Sequence, residues 1–195
     1  ELVDKMAMAS SKSNTSVAQL GEAILTVGGT AKTLSGGTTE LSMALGVLAD
    51  NGVKGAEGGT ALRNMILSLS APTEKAAAQL KALGVEAFDS EGNLRPLNET
   101  FGDLNGALSS MTQEQQTQAL SEVFNKVDLK SVNAMLGTSA ERFNELTGSI
   151  EDSKGAAADM ADTQLDNLAG DITLFKSALE GAQIIISDEL SPSLR

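Results

Sequence analysis

The residues able to do chemistry are few in kind. The chain of 195 residues has no His and no Cys, which removes Ser-His-Asp and Cys-His nucleophiles, disulfides and the usual zinc ligand sets. Paired carboxylates are the acid–base device left, with 26 Asp and Glu available. A glycosidase would set two of them across a groove, yet no Trp or Tyr is present to stack a sugar. The glycine cluster GVKGAEGGT, with Gly52, Lys54, Gly55, Gly59 and Thr60, invites comparison with a phosphate cradle. A P-loop ends in Gly-Lys-Ser/Thr and follows a buried strand. Here Lys54 comes before Gly59-Thr60 and the preceding pattern is helical, so the cluster reads as a helix–helix turn with close packing. Asp89, Gly92 and Asn93 invite a calcium loop, but the twelfth position from Asp89 is Thr100 where an EF-hand carries Glu. Asp, Gly and Asn are the residues tight turns select. The sequence therefore predicts no enzyme, no cofactor and no metal.

The elements that position these residues are helical. Leu41, Ala44, Leu45 and Leu48 fall at i, i+3, i+4, i+7, one apolar face of a helix capped by Thr38 or Thr39 and stopped by Asn51-Gly52. Leu62, Met65, Ile66 and Leu69 repeat that spacing before Pro72, so the glycine cluster is the loop of a helical hairpin. Upstream, residues 1–10 read as the end of a helix and 10–16 as polar loop. Val17 to Leu34 reads as a helix broken at Gly28-Gly29. Downstream, Thr73 to Leu83 is a short helix. Val85 to Asp89 and Asn93 to Arg95 then flank a β-hairpin turn. Pro96 opens a helix through Leu97, Phe101, Leu104 and Leu108. Thr112-x-x-Gln115 and Thr138-x-x-Glu141 are capping boxes, the first opening a helix whose inner face runs from Ala119 to Val127.

The predicted fold class is all-α: a compact orthogonal bundle of short helices with one small β-hairpin, followed by a long C-terminal helix. Residues 1–150 form the bundle, 151–155 (EDSKG) a linker, and 156–195 the long helix. Ala161, Leu165, Leu168, Ile172, Phe175, Leu179, Ala182 and Ile186 step alternately by four and three. That 3.5-residue repeat predicts a coiled-coil seam for self-association or a partner.

Composition narrows the partners. The formal net charge of −12 and the lack of a Lys/Arg cluster argue against tight nucleic-acid binding. No apolar run approaches the ~20 residues of a membrane span. With five Phe as the only aromatics, the core must be aliphatic. The sequence opens on Glu1 instead of Met, and we read it as a piece of a larger protein.

Two motifs carry a family resemblance. Leu48, Ala49, Gly52, Val53, Lys54, Gly55, Gly59, Thr60, Ala61, Leu62 and Arg63 match a pattern L-A-x-x-G-[VI]-K-G-x-x-x-G-T-A-L-R. Leu69 with Pro72-Thr73, then Gly84, Val85, Phe88, Asp89, Gly92, Asn93, Leu94, Arg95, Pro96 and Leu97, match a second. In both, the chain resembles the core region of phage tail tape measure proteins. One departure is Gly58, where alanine is common. The resemblance implies a structural component of a phage or prophage tail, made in the bacterial host cytoplasm, which fills the tail tube and sets its length. It implies tail tube and tail assembly proteins as partners. The competing expectation is a helical adaptor or secreted effector that binds a partner through the stripe at 161–186.

Overall fold

The computed structural model describes residues 1–168, 170 and 172, and every regular element among them is helical. They divide into a compact unit, Glu1–Ala156, and a second unit that begins at Ala157. The first unit contains α1 (Leu2–Lys12), α2 (Val17–Val27), α3 (Gly37–Asp50), α4 (Gly55–Ser70) and α5 (Glu74–Ala82). It continues with α6 (Leu97–Leu108), α7 (Gln113–Val123), α8 (Leu129–Leu136) and α9 (Ala140–Glu151). In the second unit residues 157–168 are helical.

α3 is the centre. The sequence marks one apolar face, but all ten residues from Glu40 to Ala49 are buried, as in a helix enclosed on every side. Small residues make this workable, because Ser42, Ala44, Gly46 and Ala49 let neighbouring helices close over the faces that Leu41, Leu45 and Leu48 do not fill. Leu62, Ile66, Leu69, Leu97, Leu104 and Leu146 from other helices are fully buried as well, each worth about 1.5–3 kcal/mol of burial. The Phe101 and Phe124 rings stack at 6.0 Å between centroids, and Phe143 is buried with them in a largely aliphatic core.

Several local expectations need correction. The β-hairpin does not form. Phe88 and Leu94 make a single antiparallel bridge, and no strand occurs among the described residues. Two backbone bonds flank it, Asp89 N–H to Asn93 carbonyl (2.9 Å) and Arg95 N–H to Ala87 carbonyl (2.9 Å). Pairing ends there because Pro96 has no N–H and turns the chain into α6. α3 is not capped by a threonine; its N-cap is Gly36, and Glu40 reaches back to the Gly36 N–H (2.8 Å). The second predicted capping box is displaced by one residue: Ser139 caps α9 by accepting from the Arg142 N–H. α1 runs to Lys12, two residues into the predicted loop. Val127 is 85% exposed because α7 stops at Val123 and a 3-10 turn, Lys126–Asp128, points it outward. The predicted break at Gly28 is present, with α2 passing there into a 3-10 segment, Gly28–Thr33.

One polar atom in α3 is left unserved. The Ser42 hydroxyl is buried without a hydrogen-bond partner. Such a group costs about 1–3 kcal/mol, so Ser42→Ala should stabilise the protein by ~1 kcal/mol. A raised Tm by circular dichroism is the expected result; a lowered one would show that the hydroxyl has a partner in solution.

Candidate functional site

The glycine motif is a place of contact between helices. Gly52, at φ +78°, takes the left-handed turn that ends α3, and the Val53 N–H closes it by donating to the Leu48 carbonyl (2.9 Å). Lys54 is the N-cap of α4, and Gly55, Gly59 and Thr60 lie inside that helix, not in a loop. The hairpin reading had α4 starting too late; its chief packing partner is α2, not α3. A Cβ at Gly59 would fall on the Ala23 carbonyl oxygen and stand 2.7 Å from Thr26 Cβ. Backbone against backbone leaves no room for a phosphate there. At Gly55 a Cβ would lie 2.6 Å from the Glu22 carboxylate, which sits at the positive end of α4 where an anion would otherwise go.

The second motif is a fixed loop. Asp89 Oδ1 accepts from the Glu91 N–H (2.9 Å) and the Asn93 N–H (2.8 Å), and Gly92 turns the chain at φ +84°. These bonds, the one from the Asn93 backbone foremost, hold the Asp89 carboxyl below its ordinary value of 3.8. Arg95 then bridges loop and helix, donating to the Glu86 carbonyl (3.0 Å), Asp103 (2.8 Å) and Glu99 (3.2 Å). The Asp103 hydrogen bond is the main cause of its raised pKa.

The residue that joins the start of α3 to the start of α6 is one the sequence did not single out. Glu40 is buried, and its carboxylate accepts from Gly36 N–H through Oε2 (2.8 Å) and from Leu97 N–H through Oε1 (2.6 Å). One side chain thus serves the N-termini of α3 and α6. Its only sequence signal is an acidic residue in the first turn of an apolar helix. Asp128 is a second case: it is buried and takes both its bonds from the Asn64 amide (3.1 and 3.2 Å). No spacing in the sequence foretells a partner 64 residues away.

Leu165, Leu168 and Ile172 of the predicted seam are exposed, at 63%, 56% and 50%. Phe175 and Leu179 lie outside the described residues. Among the described residues no cluster of three or more acidic, His or Cys side chains is placed to hold a metal. No helix among them is long and apolar enough to cross a membrane.

Residues 1–125, which include both motifs, match the phage-related minor tail protein family. The chain belongs to that family. The resemblance drawn from the two motifs is borne out, and the two curated relatives that follow carry it further. The chain is 31% identical over 193 residues to the tape measure protein of Pneumococcus phage Dp-1, covering 99% of this chain and 17% of that protein. It is 29% identical over 196 residues to the probable tape measure protein of Escherichia phage P2, covering 98% of this chain and 24% of the relative. The chain therefore spans a quarter or less of the curated relatives it matches. No solved structure matches it. As a member of a minor tail protein family, the chain is a phage tail protein.

Two outcomes are expected for the motifs of this minor tail protein. Gly59→Val should destabilise the bundle by ~1–3 kcal/mol by forcing α4 away from α2, measured by denaturant unfolding. For the loop, the Asp89 carboxyl is lowered, so its contribution is present above 3.8 and is lost as pH falls through the lowered value. Amide NMR signals of Glu91 and Asn93 should titrate with a midpoint below 3.8, and Asp89→Asn should remove that titration.

Proposed function

We propose that this chain works as a structural segment of a tail tape measure protein, one that fills the tail tube, sets tail length during assembly and leaves ahead of the DNA. The observation that carries this reading is similarity, over 98–99% of the chain, to proteins named tape measure protein from two phages. We place it in the virion tail after synthesis in the host cytoplasm, in contact with tail tube and tail assembly proteins. It acts without catalysis, in keeping with a sequence that has no His, Cys, Trp or Tyr. Self-association runs through the stripe that contains Leu165, Leu168 and Ile172, where apolar side chains share one exposed helix face. An acidic chain also fits a tube through which DNA must pass unhindered.

The two units have different parts in this role. A helix advances ~1.5 Å per residue, whereas a bundle folds its length back on itself. Duplicating four heptads after Leu165 in the phage's own protein adds ~28 residues and ~42 Å of helix, with the apolar register kept. Tails on electron micrographs should lengthen by about that distance, to the nearest tube ring. The same number of residues inserted in the Ser13–Ser16 connection should leave tail length nearly unchanged. Unchanged length with both insertions would overturn the ruler role of this segment.

A further inference from the structure

A largely apolar groove of about 260 Å³ opens beside α5. Leu69, Pro72, Ala77 and Leu80 line it together with Val85 and Phe88 of the segment that follows α5. No residue of 89–95 borders it, so it runs along the side of 85–88 that the single bridge leaves open. The bridge fixes what that side presents. The Ala87 carbonyl accepts from the Arg95 N–H and the Asp89 N–H donates to the Asn93 carbonyl, which puts Phe88 in the non-hydrogen-bonded position opposite Leu94. In that position the N–H and C=O point away from the paired segment, and those of Phe88 bond to no described residue. The ring is 39% exposed, whereas Leu94 across the bridge is buried. Asp89, Gly92, Asn93 and Arg95 of the second motif are accounted for by the turn they build. Phe88 is not.

We propose that this groove receives an extended, basic segment of a partner protein, which pairs with Phe88 as an added strand and seats one apolar side chain over Leu69 and Leu80. Strand addition draws affinity from main-chain groups and specificity from pockets for alternate side chains, and both are present here. The chain bends at Ala87, so the added strand is a short one centred on Phe88. Size favours a side chain as the occupant, because small-molecule sites start near ~300 Å³ and this groove is smaller. A helix would bring no free main-chain donors or acceptors to Phe88, since its own are paired within it. Charge selects among extended partners. Glu86, Asp89 and Glu91 are exposed and form no ion pair with any described residue. Lys81 is the one cation lining the groove, and Glu99 and Asp103 are already matched by Arg95. The three free carboxylates outnumber that ammonium, so a segment carrying Lys or Arg is drawn in. A second copy is disfavoured, because its own Glu86, Asp89 and Glu91 would lie against these and like charges across a strand pair repel. Nucleic acid is repelled for the same reason. The groove belongs to the bundle alone, so its occupancy is independent of the stripe that contains Leu165 and of any part in setting tail length.

The test uses the full chain and a blocked peptide of alternating valine and lysine, followed by amide NMR. Binding with a Kd below ~1 mM should shift the Glu86 and Phe88 signals and slow exchange of the Phe88 N–H roughly tenfold. Two N-methylated forms of the peptide, each blocking one set of alternate N–H groups, should differ: only the set that faces Phe88 abolishes binding when blocked. Ala77→Leu fills the groove from an exposed position on α5 and should remove binding with the circular dichroism unchanged. Glu86→Lys should weaken the lysine peptide and admit a valine–glutamate peptide that the unaltered chain rejects. Absence of any shift at Phe88, or shifts centred instead on Asp159, Asp162 and Asp166, would overturn the proposal. Equal effects of the two N-methylated forms, or equal binding of the valine–glutamate peptide to the unaltered chain, would overturn it as well.

Discussion

The structure depends on the complete enclosure of α3. A helix buried on every face forfeits water at its polar positions, so these depend on partners within the protein, which the Ser42 hydroxyl lacks. Glu40 shows how this is done: a buried carboxylate accepts from the Gly36 N–H and from the Leu97 N–H, and lies at the positive ends of two helices. Hydrogen bonds to a charged group contribute about 1.5–3 kcal/mol each, and these two also fix where α6 begins. The same enclosure accounts for small residues along α3, because Gly46 is where Ser13, just past α1, and Leu146 of α9 come near.

A second constraint acts beside the first. α4 is pressed onto α2 at Gly59, where a side chain gives way to direct contact with the Ala23 backbone and the Thr26 Cβ. That contact consumes the glycine cluster and leaves no cradle for an anion. The Gly52 turn and the Asp89 loop are devices of the same sort, fixing chain direction through one left-handed glycine and one local hydrogen-bond set each. The two motifs shared with the family are thus sites of chain geometry.

Ion pairs add little to this arrangement. Arg95 with Glu99 and Asp103, and Lys130 with Glu57, are partly exposed and contribute at most about 1 kcal/mol per pair. Arg142 differs in what it joins: its partners belong to α1 and α3, 130 and 92 residues away, so its bonds hold chain topology as well as charge.

The sequence by itself determined the all-α class, the family, and most helix limits. These are local matters: apolar spacing of three and four names a helix, Thr112 with Gln115 names its start, and Gly52 or Gly84 names its end. It also excluded triad and zinc chemistry, because the absence of a residue type needs no structure to interpret. Tertiary structure decided the rest. Val85–Arg95 has the composition of a hairpin, but Pro96 and the Asp89 side-chain bonds stop pairing after one bridge. Gly59 was legible as a close approach, yet only the fold showed that the approaching backbone is α2, far along the chain. Glu40, Asp128 and Arg142 were invisible as joints, since their partners are 57, 64 and up to 130 residues away. Local propensity writes elements into a sequence; which elements meet is set by burial, and burial is a property of the whole chain.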